Sequence, residues 1–144
     1  MTTENIKPVV SLKSLLTPSK TVAVDFPGLK GFSVKLTYLA REELLKLRNK
    51  SVSQKFNKKT RAYEEQLDND KFLTEYCKAI IKGWSGLKYK YLEELLLVDI
   101  SQLEPEDFLV WNNENAELLM KNSSDFDEWV SETVGELENF TKTK

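Results

Sequence analysis

The sequence predicts an α+β fold, a small N-terminal antiparallel sheet packed with four or five helices, followed by a C-terminal half that is all helical. Two observations carry the sheet. Val22, Val24 and Phe26 alternate with polar residues, as do Phe32, Val34, Leu36 and Tyr38, and period two is the mark of a strand. Pro27, Gly28, Leu29, Lys30 and Gly31 lie between them, supplying one fixed φ and two permissive glycines, so residues 21–38 read as a β-hairpin. A third observation carries the helices: from Asp68 onward, apolar residues recur at helical spacing behind residues suited to capping. A chain of 144 residues is the size of one domain and buries roughly two-thirds of its unfolded surface.

Residues 1–20 form a docking segment, with Val9, Val10, Leu12, Leu15 and Leu16 held between Pro8 and Pro18. Its apolar side chains pack either on their own domain or on another subunit. The domain proper spans 21–140, and 141–144 form a polar tail. After the hairpin, Arg41 to about Phe56 reads as a helix with a ragged stripe of Leu44, Leu45, Leu47, Val52 and Phe56. Residues 60–67 are either a third strand or a linker.

Asp68 or Asn69 caps the next helix, in which Phe72, Tyr76, Ile80 and Trp84 recur every four residues, and Gly83 and Gly86 suggest a glycine cap at its end. A second helix carries Tyr91, Leu92, Leu95 and Leu96 and leads through Val98 and Ile100 to a loop at Pro105. Leu95, Leu96 and Leu97 together exceed what one helix face buries, which makes part of that run a candidate interface. Asn112 or Asn113 caps a short helix with Ala116, Leu119 and Met120 inward. Ser123 or Ser124 caps the last, where Ser124 and Asp127 approximate a capping box and Phe126, Trp129, Val130, Val134, Leu137 and Phe140 share a stripe. The expected structural core is thus Phe72, Tyr76, Ile80, Trp84, Trp111, Phe126, Trp129, Val130 and Leu137; large rings at this spacing anchor cores more often than they line ligand boxes. Glu128, Glu132, Glu136 and Glu138 fall outside the stripe.

Catalytic chemistry has little to work with. Without histidine and with one cysteine the chain builds no Ser-His-Asp or Cys-His triad and no usual zinc tetrad. No calcium loop, phosphate loop or dinucleotide turn occurs, and five scattered glycines make no phosphate cradle. We therefore expect no catalytic, cofactor or metal residues and no enzyme activity. Asp125 and Asp127, the nearest thing to a carboxylate pair, are explained by the preference for acids in a helix's first turn. Cys77 is either a small core residue or a reactive thiol. The opening MTTENIKPVV lacks the basic head and apolar centre of a secretion signal, and no apolar run reaches the ~18 residues of a membrane span, so a cytosolic protein is expected.

Charge is divided along the chain. Residues 1–72 hold 14 Lys or Arg against 8 Asp or Glu, a net of +6, whereas 73–144 hold 7 against 15, a net of −8. These halves attract either within one chain or between neighbours. The basic centre is a run from Lys46 to Arg61, comprising Lys46, Arg48, Lys50, Lys55, Lys58, Lys59 and Arg61, with Phe56 and Tyr63 nearby as stacking rings. It is either a solvated face or subunit contact, or a nucleic-acid surface; a pI of 5.4 is far from that of a dedicated nucleic-acid domain.

An N-terminal hairpin flowing into FSVKLTYLAREELLKL, then KFLTEYCKAIIKGWSGL, YLEELLLVDI and WNNENAELLMKNSSDFDEWVSETVGELENF, in that order over residues 20–140, resembles the tail assembly chaperones of long-tailed bacteriophages. The family favours Ser or Thr before Glu-Asn, where Asn112 and Asn113 stand, and Ser where Ala40 stands. The resemblance implies a non-catalytic chaperone that coats and solubilises the tape-measure protein in the host cytoplasm and is absent from the mature virion. It implies as partners the tape-measure protein, copies of the chain itself, a longer product of a programmed frameshift, and the tail-tube protein as a further candidate. Candidate interaction residues are Val9, Val10, Leu12, Leu15, Leu16, Lys55, Lys58, Lys59, Leu95, Leu96 and Leu97. The competing reading is a small nucleic-acid-binding regulator using the basic stretch 46–61.

Overall fold

The computed structural model of the chain describes residues 9–141, which leaves most of the polar tail outside the described residues. The elements follow in the order α1 (Leu12–Leu15), β1 (Ser19–Asp25), β2 (Ser33–Leu39), α2 (Arg41–Lys50), β3 (Val52–Asn57), β4 (Ala62–Leu67), α3 (Asn69–Ile80), β5 (Ile81–Ser85), α4 (Tyr89–Leu95), α5 (Asn113–Asn122), α6 (Ser124–Gly135) and α7 (Glu138–Thr141). This is the expected α+β class, with five helices of seven residues or more and two single turns among the described residues.

The hairpin forms as its alternation predicts. Strands β1 and β2 pair antiparallel with Val24 opposite Val34 and Val22 opposite Leu36. Phe26 N–H donates to the Phe32 carbonyl at 2.9 Å and closes the loop, whose Gly28 and Gly31 take φ of 88° and 86°. The third strand of this sheet is β5, giving the order β1-β2-β5. Expectation and structure part here. The helix read through Trp84 stops at Ile80, and Ile81–Ser85 runs antiparallel to β2 with Trp84 opposite Val34. The β-branched pair Ile80-Ile81 followed by Gly83 weakens a helix and suits a strand, and packing on β2 decides between them. The expected glycine cap is therefore absent. Gly86 instead turns the chain out of β5 at a φ of 76°, close against the carbonyl of Gly31.

The second departure lies at 52–67. The helix read to Phe56 ends at Lys50, and Val52–Asn57 pairs with Ala62–Leu67 as a separate two-stranded ribbon, β3-β4. Residues 60–67 do contain a strand, but it belongs to this ribbon and not to the N-terminal sheet.

One face of the sheet carries the core. Phe32, just before β2, and Val34 and Leu36 of β2 are fully buried, with β2 against α3 and α6, together with Ile80, Ile81, Leu87, Leu119, Phe126, Val130 and Phe140. Phe126 lies near-parallel to Phe26 and Phe32 at centroid distances of 6.2 and 6.5 Å, and Trp129 meets Phe26 edge-on at 4.8 Å. On the opposite face hydroxyls join the strands, Thr21 to Thr37 at 2.7 Å and Ser33 to Ser85 at 3.2 Å.

Helix starts follow the capping rules with one adjustment. Asp68 accepts from Lys71 N–H and Asn112 from Asn115 N–H, whereas Ala40 offers α2 no side-chain cap. For α6 the cap is Ser123, accepting from Phe126 N–H, so Ser124 and Asp127 do not form a capping box. Of the expected core, Ile80, Phe126 and Val130 are buried, and Phe72, Tyr76, Trp84, Trp111 and Trp129 are partly buried. Leu137 is not core. It is 53% exposed because α6 ends at Gly135, which breaks the helical phase and lets Phe140 of α7 turn inward in its place.

Candidate interaction surfaces

Cys77, the one thiol of the chain, is closed to nucleophilic chemistry. Its side chain is 2% exposed on the inner face of α3, and burial, assisted by the negative charges of Glu117 and Asp127, pushes the thiol up to about 12. A thiol held there is neutral and sits as a small apolar core residue. Tyr76 beside it is likewise raised by burial. Among the described residues no group of three His, Cys, Asp or Glu is placed to hold a metal ion, and no helix is long and apolar enough to cross a membrane.

What the surface offers is contact. Val9, Val10, Leu12, Leu15 and Leu16 are all exposed, and among the described residues none of them joins the core cluster. Ser11 caps the single turn α1, its hydroxyl accepting from Ser14 N–H, which presents Leu12, Leu15 and Leu16 on an ordered scaffold. Of the leucine run, Leu95 and Leu96 are partly buried against the core and Leu97 is fully exposed.

Sequence periodicity missed a further apolar group, Leu103, Phe108 and Val110, because these residues lie in the irregular segment after α4, where no period marks them. That segment is nevertheless tied down. Lys88 and Phe108 form a β-bridge, Leu109 N–H donates to the Leu87 carbonyl at 2.8 Å, and Trp84 Nε1 donates to the Leu109 carbonyl at 3.0 Å. Glu106 receives Lys88 Nζ at 2.7 Å and Lys90 Nζ at 2.6 Å, and these hydrogen bonds lower its carboxyl to about 2. The exposed apolar residues of the segment are thus held in fixed positions.

The basic stretch is divided between two elements. Lys46, Arg48 and Lys50 lie on α2, whereas the rest lies on the ribbon. Within the ribbon, Lys55 stands opposite Glu64 on the face away from the rings, while Lys58, Lys59 and Arg61 occupy the turn. Phe56 and Tyr63 face each other across the strands, 5.4 Å apart and edge to face, at 49% and 70% exposure.

Strand β1 is an edge of the three-stranded sheet. Phe26 N–H bonds Phe32 and Ala40 N–H bonds Pro18, so even-numbered positions of β1 pair with β2. Thr21, Ala23 and Asp25 therefore direct their backbone groups outward, beside a groove of about 780 Å³ that Thr133 and Asn139 also line.

Comparison with protein-family models, curated proteins and solved structures gives no match. Function rests on these surfaces and on the residue pattern alone.

Proposed function

We propose that this chain is a non-catalytic assembly chaperone of long-tailed bacteriophages, which coats the tape-measure protein and keeps it soluble until the tail tube replaces it. The observation that carries the reading is the N-terminal segment, whose five large apolar residues leave their own domain uncovered and available to a partner. The order of sequence motifs over residues 20–140 supplies the family, and the buried, neutral Cys77 is no candidate for thiol catalysis. Leu97, Leu103, Phe108 and Val110 add a second apolar group on an ordered segment. Many weak apolar contacts suit a coat that must later be displaced, because each copy bound beside another raises the effective concentration for the next. The expected partners are the tape-measure protein, further copies of the chain and a longer frameshifted form, in the host cytoplasm, with the protein absent from the finished virion.

The test is co-expression with pieces of the tape-measure protein encoded in the same genome. The reading expects soluble yield to rise with the chain present and to fall back when Leu12, Leu15 and Leu16 are replaced by serine. Insoluble tape-measure pieces in every combination, including with the longer product, would end it.

A nucleic-acid-binding regulator is the second reading, favoured by the exposed rings of Phe56 and Tyr63 beside Lys58, Lys59 and Arg61. It expects a tight complex that survives physiological salt; weak binding that collapses as salt rises is what a stray basic patch produces.

A further inference from the structure

The β3-β4 ribbon is built as an arm. Among the described residues, only Val52, Asn57 and Leu67 of its two strands are even partly buried, and apart from the hydrogen bond from Asp68 N–H to the Ser51 carbonyl at its base, its ladder is its own. A lone two-stranded hairpin is marginal in water, so its persistence as an ordered projection calls for a partner. Its tip is nonetheless well formed. Asn57 Oδ1 accepts from Lys59 N–H at 2.9 Å and from Thr60 N–H at 3.4 Å, Asn57 Nδ2 donates to Glu64 at 2.9 Å, and Arg61 N–H closes onto the Asn57 carbonyl at 2.7 Å. Arg61 itself holds a φ of 56°, a left-handed conformation that is unfavourable for an L-residue and that glycine would adopt freely. A cation is kept where glycine would be easier. The turn thus presents Lys58, Lys59 and Arg61 in fixed positions, none of them with an ion-pair partner among the described residues, next to the apolar pair Phe56 and Tyr63.

The complement of that tip lies at the far end of α6. Ser131, Glu132, Thr133, Gly135, Glu136 and Asn139 line a shallow groove of about 440 Å³. Both glutamates are exposed, and α6 has no basic residue in its last turn to offset the partial negative charge of its C-terminal end. Leu137, the apolar residue that the end of α6 turns outward, follows Glu136 directly in the chain. An apolar pair beside cations on one surface therefore matches an apolar residue that follows a carboxylate on the other. Within one chain no ion pair among the described residues joins Lys58, Lys59 or Arg61 to Glu132 or Glu136, so the match is available to a second molecule.

We propose that the β3-β4 arm of one copy docks at the acidic C-terminal end of α6 of the next, with Lys58, Lys59 and Arg61 against Glu132 and Glu136 and with Phe56 and Tyr63 against Leu137. Charge selects this occupant. Two arms repel each other, and so do two α6 ends, whereas arm to α6 attracts. The contact is heterologous, each copy giving one surface and receiving on another, so it propagates as an open helix or a ring instead of stopping at a dimer. That is the geometry needed to follow an elongated partner. A nucleic acid suits the arm less well: the cations are gathered at the tip, Glu64 and Glu65 follow on the second strand, and the two rings meet edge to face without a free parallel platform for bases. The proposal deepens the coating function and rests on it for the expectation that copies meet.

The test uses two charge-reversed full-length chains, Lys58→Glu with Lys59→Glu on the arm, and Glu132→Lys with Glu136→Lys on α6, examined by sedimentation velocity over a concentration series after nuclease treatment. All four positions are exposed, and circular dichroism checks that the fold is retained. The wild type is expected to associate with rising concentration, more weakly at 0.5 M salt. Each variant alone should need at least roughly tenfold more protein to associate, about 1.4 kcal/mol of lost contact. An equimolar mixture should recover wild-type assembly, because every arm then meets an oppositely charged α6 end. Phe56→Ser with Tyr63→Ser should weaken assembly without the salt dependence changing. Wild-type-like association of either variant, no recovery on mixing, a wild type that stays monomeric, or association only when a single-stranded RNA oligonucleotide is added would each overturn the proposal. Soluble yield of tape-measure pieces is read separately, so a chain that solubilises them without arm-dependent assembly refutes the arm and leaves the coating function standing.

Discussion

Replacing Gly86 with alanine tests the junction on which the sheet and the helical half meet. Gly86 follows β5 with a φ of 76°, and a Cβ built there lies 1.9 Å from the Gly31 carbonyl oxygen and 2.8 Å from its carbon. Real Cβ contacts essentially never fall below 3.0 Å, so the loop carbonyl must retreat by more than an ångström. The next residue is Phe32, which is fully buried, so the retreat drags a core ring with it. The conformational part costs about 1–2 kcal/mol, and the forced displacement in a packed core adds about 1–3 kcal/mol. Gly28 and Gly31 supply the control, since both have positive φ but no atom within 4 Å of an added Cβ. Gly28→Ala and Gly31→Ala should therefore lose only the conformational part, about 1–2 kcal/mol, and Gly86→Ala about 2–5 kcal/mol. Urea unfolding followed by the fluorescence of Trp84, two residues from the substitution, measures all three with a shared slope. If Gly86→Ala fell within about 0.5 kcal/mol of Gly28→Ala, the close approach of the two turns would be wrong.

Three more expectations follow from particular side chains. Phe126→Ala, which empties a fully enclosed site, should cost about 3–5 kcal/mol, whereas Leu137→Ala should change stability by less than about 0.5 kcal/mol; equal losses in urea unfolding would return Leu137 to the core. Cys77 should resist a thiol reagent at pH 8 in the native protein and react at the rate of unfolding, since its thiol is raised to about 12, and rapid native labelling would contradict its burial. Its preference for the neutral form also sets a sign: stability tied to Cys77 is full below the usual thiol range and is lost as pH rises toward about 12. Glu106 has the opposite sign, because its carboxyl is depressed by Lys88 and Lys90, so the clamp is complete above the ordinary value of 4.5 and opens as pH falls through about 2; a carboxyl NMR titration centred near 4.5 would show no clamp in solution.

The N-terminal hairpin was legible because one face of it is buried, and burial of one face is what writes period two into a sequence. The β3-β4 ribbon was not, for the converse reason. Val52-Ser-Gln-Lys-Phe-Asn is exposed along most of both faces, so no core imposes alternation on it, and its residues prolong the pattern of α2 instead. At β5 a tertiary contact overrode a local pattern: Trp84 happens to continue the four-residue spacing of Phe72, Tyr76 and Ile80, yet Val34 and Leu36 of β2 offer Ile81 and Trp84 a better surface as a strand. Val9 to Leu16 stood out as a contact segment because apolar residues between prolines have no element of their own to build. The groove at the end of α6 did not, because it depends on where that helix stops, and Gly135 is the only mark of it in the sequence. Lys55 was grouped with Lys58 and Lys59 by proximity along the chain, and the strand register places it opposite Glu64 while Lys58 and Lys59 lie in the turn.

The central claim is that the chain coats its partner along its length. Tape-measure fragments of increasing length should be co-purified with the chain and the masses of the complexes determined by light scattering. Coating predicts that the number of copies bound rises in proportion to fragment length, with cooperative filling at limiting protein. A fixed number of copies whatever the length would contradict it, because that is the behaviour of a protein that recognises one site.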